Sequence, residues 1–195
     1  MIICVTGIPG SGKSTVARLL KPPDGLLIDM DRLGRQATHL SRGAIESAFG
    51  KGFFDEKGEL LPGKLGRYLF VEHPEKIPAF NKIVHPVLKS LVTEAIEKNR
   101  HADVLIIDGA LILELGLQRF CDVLIVVTAP IETAARRFVE RTGYPKSAFW
   151  NILKHQMPQA EKARRADWVI DNSGGLDELK AQVDAVKRAV GLLKT

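Results

Sequence analysis

The 195-residue sequence has two cysteines, 6% aromatic residues and no long apolar run. Its longest apolar stretches, such as Val104–Ile107 and Val123–Val127, are far shorter than the roughly 20 residues that a membrane-spanning helix needs. The first residues have no basic segment before an apolar one, so no signal peptide is indicated and we expect a cytoplasmic protein. Cys4 and Cys121 each lie beside or within an apolar run, which favours two buried reduced thiols over a disulfide.

The charge and the composition are ordinary for a globular protein. Lys and Arg number 28 against 23 Asp and Glu, which gives a net charge of +5, and 45% of the residues are hydrophobic. A chain of this length predicts one compact domain. A modest positive charge is compatible with nucleic acid and with phosphate-rich small substrates alike.

The first thirty residues have the pattern of a strand, a turn, a helix and a second strand. Ile2–Val5 is apolar and β-branched, and glycines interrupt the chain before a helical pattern over Lys13–Leu20. Leu26–Ile28 is a second short strand that ends at Asp29. This order predicts a βαβ unit, and therefore a parallel sheet.

The remaining chain predicts three further strands separated by helices. Helical patterns dominate residues 35–100, and a long helix is expected to begin at His85-Pro86 and to reach about Lys98. Val104–Ile107, Val123–Val127 and Trp168–Ile170 complete a five-stranded parallel sheet, and an amphipathic helix ends the chain. The predicted fold class is therefore α/β with three layers.

The glycine-rich segment after the first strand fits the motif G-x-x-x-x-G-K-[ST] at every fixed position. Its glycines let successive backbone N–H groups face an anion at the start of a helix. Lys13 is expected to reach the β- and γ-phosphates of ATP, and the Ser14 hydroxyl to bind Mg²⁺. The predicted ATP-binding residues of this loop are Gly7, Ile8, Pro9, Gly10, Ser11, Gly12, Lys13, Ser14 and Thr15.

Carboxylates follow the second and third strands, where ligands bind in open parallel sheets. Asp29 and Asp31 are two residues apart, and alternation along an extended chain would point both to one side. One could accept the proton of an attacking hydroxyl and the other could orient a metal-bound water, while Arg35 meets a phosphate. The alternative is a helix N-cap with an i,i+4 pair of Asp31 and Arg35. Asp108 is either a metal-directed carboxylate or a strand-end cap.

With these residues assembled, the chain resembles the dephospho-CoA kinases over nearly its full length. The spacing Asp29-x-Asp31-x-x-x-Arg35 is similar to the family's motif after its second strand, and Phe70 through His85-Pro86 to a stretch of its substrate-binding part. Further segments that resemble the family are Asp108 with Leu111 and Glu114-x-Gly116, Cys121-Asp122, Glu132-Thr133 with Arg137 and Arg141, Gln156, and Ala166-Asp167-x-x-Ile170-x-Asn172-x-Gly174. Pro9, Ala110 and Leu61-Pro62 depart from its usual pattern.

The resemblance implies a P-loop kinase fold with a helical substrate-binding insertion at residues 35–100 and a helical lid at residues 131–160. The core would comprise residues 1–34, 101–130 and 161–195. Asp31 would be the base for the acceptor ribose 3′-hydroxyl, with Lys13 and the lid residues Arg137 and Arg141 as further catalytic residues. The implied substrate-binding residues are Asp29, Asp31, Arg35, His85 and Asp108.

Three of these assignments have a structural alternative. Arg137 and Arg141 are four residues apart and could form a solvated basic face. His85, next to Pro86, could equally be a capping or core residue. Asn172 could read the adenine edge of ATP, but it also lies in a good turn sequence.

The expected function is ATP- and Mg²⁺-dependent phosphorylation of dephospho-CoA, by a monomer or weak oligomer with no nucleic-acid or membrane partner. A related kinase that acts on another nucleoside, nucleotide or small metabolite is the alternative. A nucleotide-dependent switch or nucleic-acid-binding protein is disfavoured, because the basic residues cluster in the expected lid and aromatic stacking platforms are few. The sequence also has no N-K-x-D tetrapeptide, which a GTPase would use to recognise guanine.

Overall fold

Five strands form the centre of the protein in a computed structural model that describes residues 1–193. The strands are β1 Ile2–Thr6, β2 Leu26–Asp29, β3 Leu105–Asp108, β4 Val123–Thr128 and β5 Trp168–Asp171. They pair in the order β2-β3-β1-β4-β5, and every pair is parallel. The predicted five-stranded parallel sheet is therefore confirmed. The last two residues of the predicted core, Lys194 and Thr195, lie outside the described residues.

Helices cover both faces of the sheet. The helices are α1 Lys13–Leu20, α2 Met30–Leu40, α3 Arg42–Phe49, α4 Lys64–Arg67, α5 Ile77–Lys98, α6 Ile131–Thr142, α7 Lys146–Leu153, α8 Gln159–Arg164 and α9 Leu176–Ala189. Short π- and 3₁₀-helical turns lie at Tyr68–Glu72, Pro74–Lys76 and Leu117–Phe120.

Alternation along the central strands divides the core into two layers. Ile3, Val5 and Ile106 face the side on which α1 and α9 pack. Cys4 and Ile107 face the opposite side, which α2 and α5 cover. Because successive side chains of a strand point to opposite faces, one apolar strand can supply both layers of the core.

The long helix of residues 35–100 begins earlier than the sequence indicates. We expected a start at His85-Pro86, but α5 begins at Ile77, and Pro86 lies inside it. Pro86 has no N–H to donate to the preceding turn, which normally ends or bends a helix. The helix continues through Pro86 because its buried residues extend on both sides of it, and they are Ile77, Val84, Leu88, Val92 and Ile96.

The two cysteines are joined, contrary to the expected pair of reduced thiols. Cys4 on β1 and Cys121, just before β4, form a disulfide with their Cα atoms 5.8 Å apart. The prediction was wrong because the cysteines are 117 residues apart in sequence. Only the parallel pairing of β1 with β4 brings them side by side.

None of the helices within residues 1–193 combines the length and the apolar character that crossing a membrane requires.

We predict that Pro86→Ala raises the free energy of unfolding by about 1–2 kcal/mol. Alanine restores a main-chain donor inside α5, and only part of this gain is offset by greater freedom of the unfolded chain. Chemical denaturation measures the change. Ile96→Ala, which removes a buried side chain from the same helix, should lower the same quantity by about 2–5 kcal/mol. A destabilised Pro86→Ala protein would show that the proline is required where it stands.

Candidate functional site

The glycine-rich loop between β1 and α1 is shaped by contacts that exclude side chains. Gly10 and Gly12 have φ angles of 77° and 95°, in the left-handed region that glycine adopts at low cost. A Cβ atom on Gly10 would overlap the carbonyl oxygen of Ala134 on α6, and one on Gly12 would overlap the side-chain amide of Asn172. The loop is therefore fixed by its neighbours as well as by its own backbone.

Asn172, at the end of β5, supports this loop. Its Nδ2 donates a hydrogen bond to the Ser11 carbonyl oxygen over 2.8 Å, and the residue is buried. The side-chain amide is thus engaged with the loop in this structure. A contact between Asn172 and adenine stays a prediction, and the geometry adds a second role that its turn sequence does not reveal.

Carboxylates from two neighbouring strand ends meet beside the loop. Asp29 and Asp108 are register partners at the ends of β2 and β3. The Ser14 hydroxyl lies near Asp108 and lowers its pKa, and the charges of Lys13, Asp31 and Asp29 also act on Asp108. The structure therefore brings together the predicted loop lysine, the predicted metal-binding serine and the three predicted aspartates.

The expected alternation of Asp29 and Asp31 along one extended chain is wrong. Asp29 ends β2 and caps α2, because its Oδ1 accepts hydrogen bonds from Asp31 N over 2.8 Å and Arg32 N over 3.2 Å. Asp31 lies in the first turn of α2 and is exposed. The cap satisfies two N–H groups that a helix start leaves without partners. Asp29 thus orients the helix that carries Asp31.

Burial raises the pKa of Asp108 above that of an ordinary aspartate. The Ser14 hydroxyl and the Lys13 ammonium group oppose this rise in pKa, whereas the charges of Asp31 and Asp29 add to it. Only 7% of Asp108 is exposed, and its Oδ1 has no hydrogen-bond partner among the described residues. A buried carboxylate oxygen in this condition is ready to accept a further donor or a cation.

The oxygen donors here fit a hard divalent cation. Such cations prefer carboxylate, hydroxyl and water oxygens, and Mg²⁺ is commonly held by one or two protein ligands together with substrate phosphates. Ser14 and Asp108 supply such oxygens beside Lys13. Within residues 1–193, no cluster of three or more His, Cys, Asp or Glu side chains is arranged to hold a metal ion.

A cavity of about 430 Å³ opens next to these groups. Most of its wall is apolar, supplied by α2, α5 and the segment around residues 60–70. Asp31, Arg35 and His85 line it, so three of the predicted substrate-binding residues share one space. Burial lowers the pKa of His85, and the negative charge of Glu114 opposes this only in part. The lowered pKa favours the neutral imidazole. The arrangement suits a largely organic ligand whose polar end lies near Asp31.

The two arginines that the sequence predicts for the lid have different surroundings on α6. Arg137 Nη1 donates to the main-chain oxygen of Asn172 over 3.3 Å, which joins α6 to the turn after β5. Arg141 is exposed in the last turn of α6. The chain from α6 to α7 also contacts the segment around residues 60–70, because Tyr144 Oη donates to Gly63 O over 3.2 Å and Asn151 Nδ2 donates to Phe70 O over 3.1 Å.

Sequence reasoning missed a buried ion pair behind the cavity. Lys162, which the sequence places in a basic run with Arg164 and Arg165, is completely buried, and its Nζ lies 2.8 Å from Glu114 Oε1. Its neighbours Arg164 and Arg165 are exposed. No local pattern distinguishes the three cations, since only the tertiary packing covers one of them.

A family model, curated relatives and a solved structure each match nearly the whole chain. The family model CoaE, described as dephospho-CoA kinase, matches residues 1–178. A dephospho-CoA kinase of Aquifex aeolicus is 37% identical over 188 residues, covering 94% of both chains, and one of Corynebacterium diphtheriae is 34% identical over 184 residues, covering 92% of both. The crystal structure of TT1252 from Thermus thermophilus, 31% identical, has a TM-score of 0.73 and covers 100% of this chain and 98% of its own.

We predict that Asp108→Asn stabilises the ligand-free protein at neutral and alkaline pH. A carboxyl whose pKa is raised by folding lowers the free energy of unfolding once it is ionised, and this cost disappears below the unfolded pKa of about 4. The variant should therefore have a higher Tm than wild type at pH 8, and the difference should shrink towards pH 4. Thermal unfolding across this range measures it.

Asp24→Asn is the matched control for this prediction, because Asp24 is exposed in the turn before β2. It should leave Tm unchanged at each pH. A Tm difference for Asp108→Asn that stays constant with pH would contradict a raised pKa as its cause.

Proposed function

The chain belongs to the dephospho-CoA kinase family, and from that premise we propose that it transfers the γ-phosphoryl group of ATP to the ribose 3′-hydroxyl of dephospho-CoA. The products are coenzyme A and ADP. The observation that carries this proposal is the position of Asp31, which lines the apolar cavity while its charge acts on Asp108 beside Lys13 of the phosphate loop. A donor and an acceptor can thus be held on opposite sides of one carboxylate.

The phosphate loop binds the donor. Its backbone N–H groups and the start of α1 surround the β- and γ-phosphates, and Lys13 neutralises their charge. Lys13 begins α1 and is 4% exposed, so its ammonium group is fixed close to the loop. Because phosphoryl transfer depends mainly on positioning and charge stabilisation, a rigid cradle supplies much of what the reaction needs.

Mg²⁺ would be held by the Ser14 hydroxyl, with Asp108 acting on it directly or through water. When bound there, the ion would supply positive charge that offsets the negative charge developing on the phosphates. The buried Oδ1 of Asp108, which lacks a partner among the described residues, supports this assignment.

Asp31 acts on the acceptor. The 3′-oxygen attacks the γ-phosphorus as the bond to the bridging oxygen of ADP breaks, and the hydroxyl proton passes to the Asp31 carboxylate. Arg35 lies one turn beyond Asp31 on α2 and lines the same cavity, where it would bind a phosphate of the acceptor. The apolar wall accommodates the organic part of dephospho-CoA, and His85 contacts it in the neutral form.

The lid completes the site in this proposal. Arg137 and Arg141 of α6 would turn towards the transferring phosphoryl group when ATP binds, in the manner of a closing segment that excludes water. We further propose that residues 35–100 serve as the acceptor-binding insertion and residues 131–160 as the lid, around a core formed by the remaining segments. We expect a cytoplasmic monomer or weak oligomer.

Incubation with ATP, Mg²⁺ and dephospho-CoA tests the proposal directly. The product should have the mass of dephospho-CoA plus one phosphoryl group, and ADP should form in equal amount. A coupled assay of ADP release across nucleosides, nucleotides and small alcohols serves as the comparison. No turnover with dephospho-CoA, together with turnover of another acceptor, would replace the proposed substrate.

We predict that Lys13→Ala abolishes turnover, and that Asp31→Asn lowers kcat by about 10²–10⁴-fold while ATP binding is largely retained. The amide that replaces the carboxylate cannot accept the hydroxyl proton, but it leaves the phosphate loop intact. Steady-state kinetics and ATP titration by calorimetry measure the two effects. Asp103→Asn, at an exposed position before β3, is the control. A nearly normal kcat for Asp31→Asn would remove the base assignment.

We predict that Arg141→Ala lowers kcat roughly 10²-fold and weakens ATP binding much less. An arginine that reaches the phosphoryl group only on closure stabilises the transition state more than bound ATP. Arg136→Ala, an exposed arginine on the same helix, should have little effect on either quantity. Equal losses in kcat and in ATP affinity for Arg141→Ala would contradict a closing role.

A further inference from the structure

The ion pair of Lys162, which is completely buried, and Glu114, whose side chain is 15% exposed, connects three segments that surround the reaction site. Lys162 lies on α8, and its Nζ hydrogen-bonds the Ala110 carbonyl oxygen and lies 2.8 Å from Glu114 Oε1. Glu114 Oε1 also accepts a hydrogen bond from Met157 N over 2.9 Å. One ammonium group therefore holds the chain after β3 at two points and, through Glu114, the chain between α7 and α8 at a third.

The chain after β3 leads from the phosphate site to the acceptor cavity. Asp108, the last residue of β3, lies at the phosphate side, and Gly109 N donates to Val5 O over 3.1 Å, next to the loop. Ala110 O also accepts from Thr6 Oγ1 over 3.3 Å. Leu111, the next residue, lines the cavity. A shift of Ala110 would thus displace both Asp108 and one wall of the acceptor site.

The chain between α7 and α8, which the ion pair also holds, lies next to the cavity as well. Gln156 precedes Met157 and lines the cavity together with His155. Met157 N is fixed by Glu114, and Glu114 is fixed by Lys162. The charge of Glu114 also acts on His85 across the cavity. The two walls thus share one buried anchor.

Such a pair is poorly explained as a source of stability. Removing charged groups from water is costly, and apolar replacement of both partners of a buried pair is often neutral or stabilising. Burial lowers the pKa of Lys162 and the charge of Lys13 adds to this, whereas Glu114 raises it. Because desolvation opposes the attraction between the charges, we look for a role of the pair in positioning main-chain atoms. Apolar side chains could not take that role, because they cannot donate a hydrogen bond to Ala110 O.

We propose that Lys162 is a positioning residue for phosphoryl transfer, whose ammonium group fixes the segment 108–114 and the segment 156–157 as walls of the acceptor site. This inference rests on the proposed function. Lys162→Met should raise KM for dephospho-CoA about 10-fold and lower kcat about 10²-fold, because small misplacements of a reacting group have effects of this size. KM for ATP should change less than about 3-fold, because Asn172 and Ala134 still support the loop.

The double variant Glu114→Met with Lys162→Met separates geometry from stability. It removes both charges, so no unpaired buried charge remains, and its Tm should return to near that of wild type. If Lys162 is a positioning residue, KM for dephospho-CoA stays raised and kcat stays low in this folded protein. Recovery of both kinetic constants together with Tm would overturn the proposal and assign the pair a structural role.

Arg165→Met is the matched control, because Arg165, the residue that follows α8, pairs with Glu161 of α8 over 2.5 Å at the surface. It should leave Tm and all kinetic constants unchanged. Loss of folding in both Lys162 variants would overturn the positioning role, as would a folded Lys162→Met with unchanged acceptor KM and kcat. Turnover of dephospho-CoA by the wild-type protein is measured first, since its absence would count against the proposed function instead.

Discussion

The electrostatic balance between the Lys13 ammonium group and the carboxylates at the ends of β2 and β3 is the constraint on which the site depends. Asp29 and Asp108 are brought into register by strand pairing, and Asp31 follows within one helical turn. Three carboxylates this close repel one another, and burial raises the pKa of Asp108 further. A buried cation beside them, and a metal with phosphates when substrate is bound, makes the arrangement favourable.

Close contacts hold in place the backbone that carries these charges. The loop that carries Lys13 is packed against Ala134 and held by Asn172, so two glycines leave no space for side chains. Asp29 caps α2, which fixes where Asp31 begins. Preorganisation of this kind is what a phosphoryl-transfer site requires, since its catalysis comes from position and charge.

The cavity beside the phosphate loop is stabilised by a different interaction. Its wall is mostly apolar, and the polar residues that line it come from helices and from the chain before α8. The Lys162–Glu114 pair lies behind this wall and contacts main-chain atoms on two sides of it. Asp108, the last residue of β3, and Leu111, three residues further on, therefore join the carboxylates beside the phosphate loop to the wall of this cavity.

The sequence alone determined the strands and the phosphate loop, because buried parallel strands and anion-binding turns have strong local patterns. It also indicated which polar side chains meet beside that loop, among them Lys13 and Asp108. It misplaced the start of α5, because the apolar face that carries the helix through Pro86 outweighs a local signal. Tertiary structure alone decided that Asn172 supports the loop, that Cys4 meets Cys121 and that Lys162 is buried while Arg164 is not. Each of these depends on contacts between residues distant in sequence, and the local sequence around each residue does not indicate them.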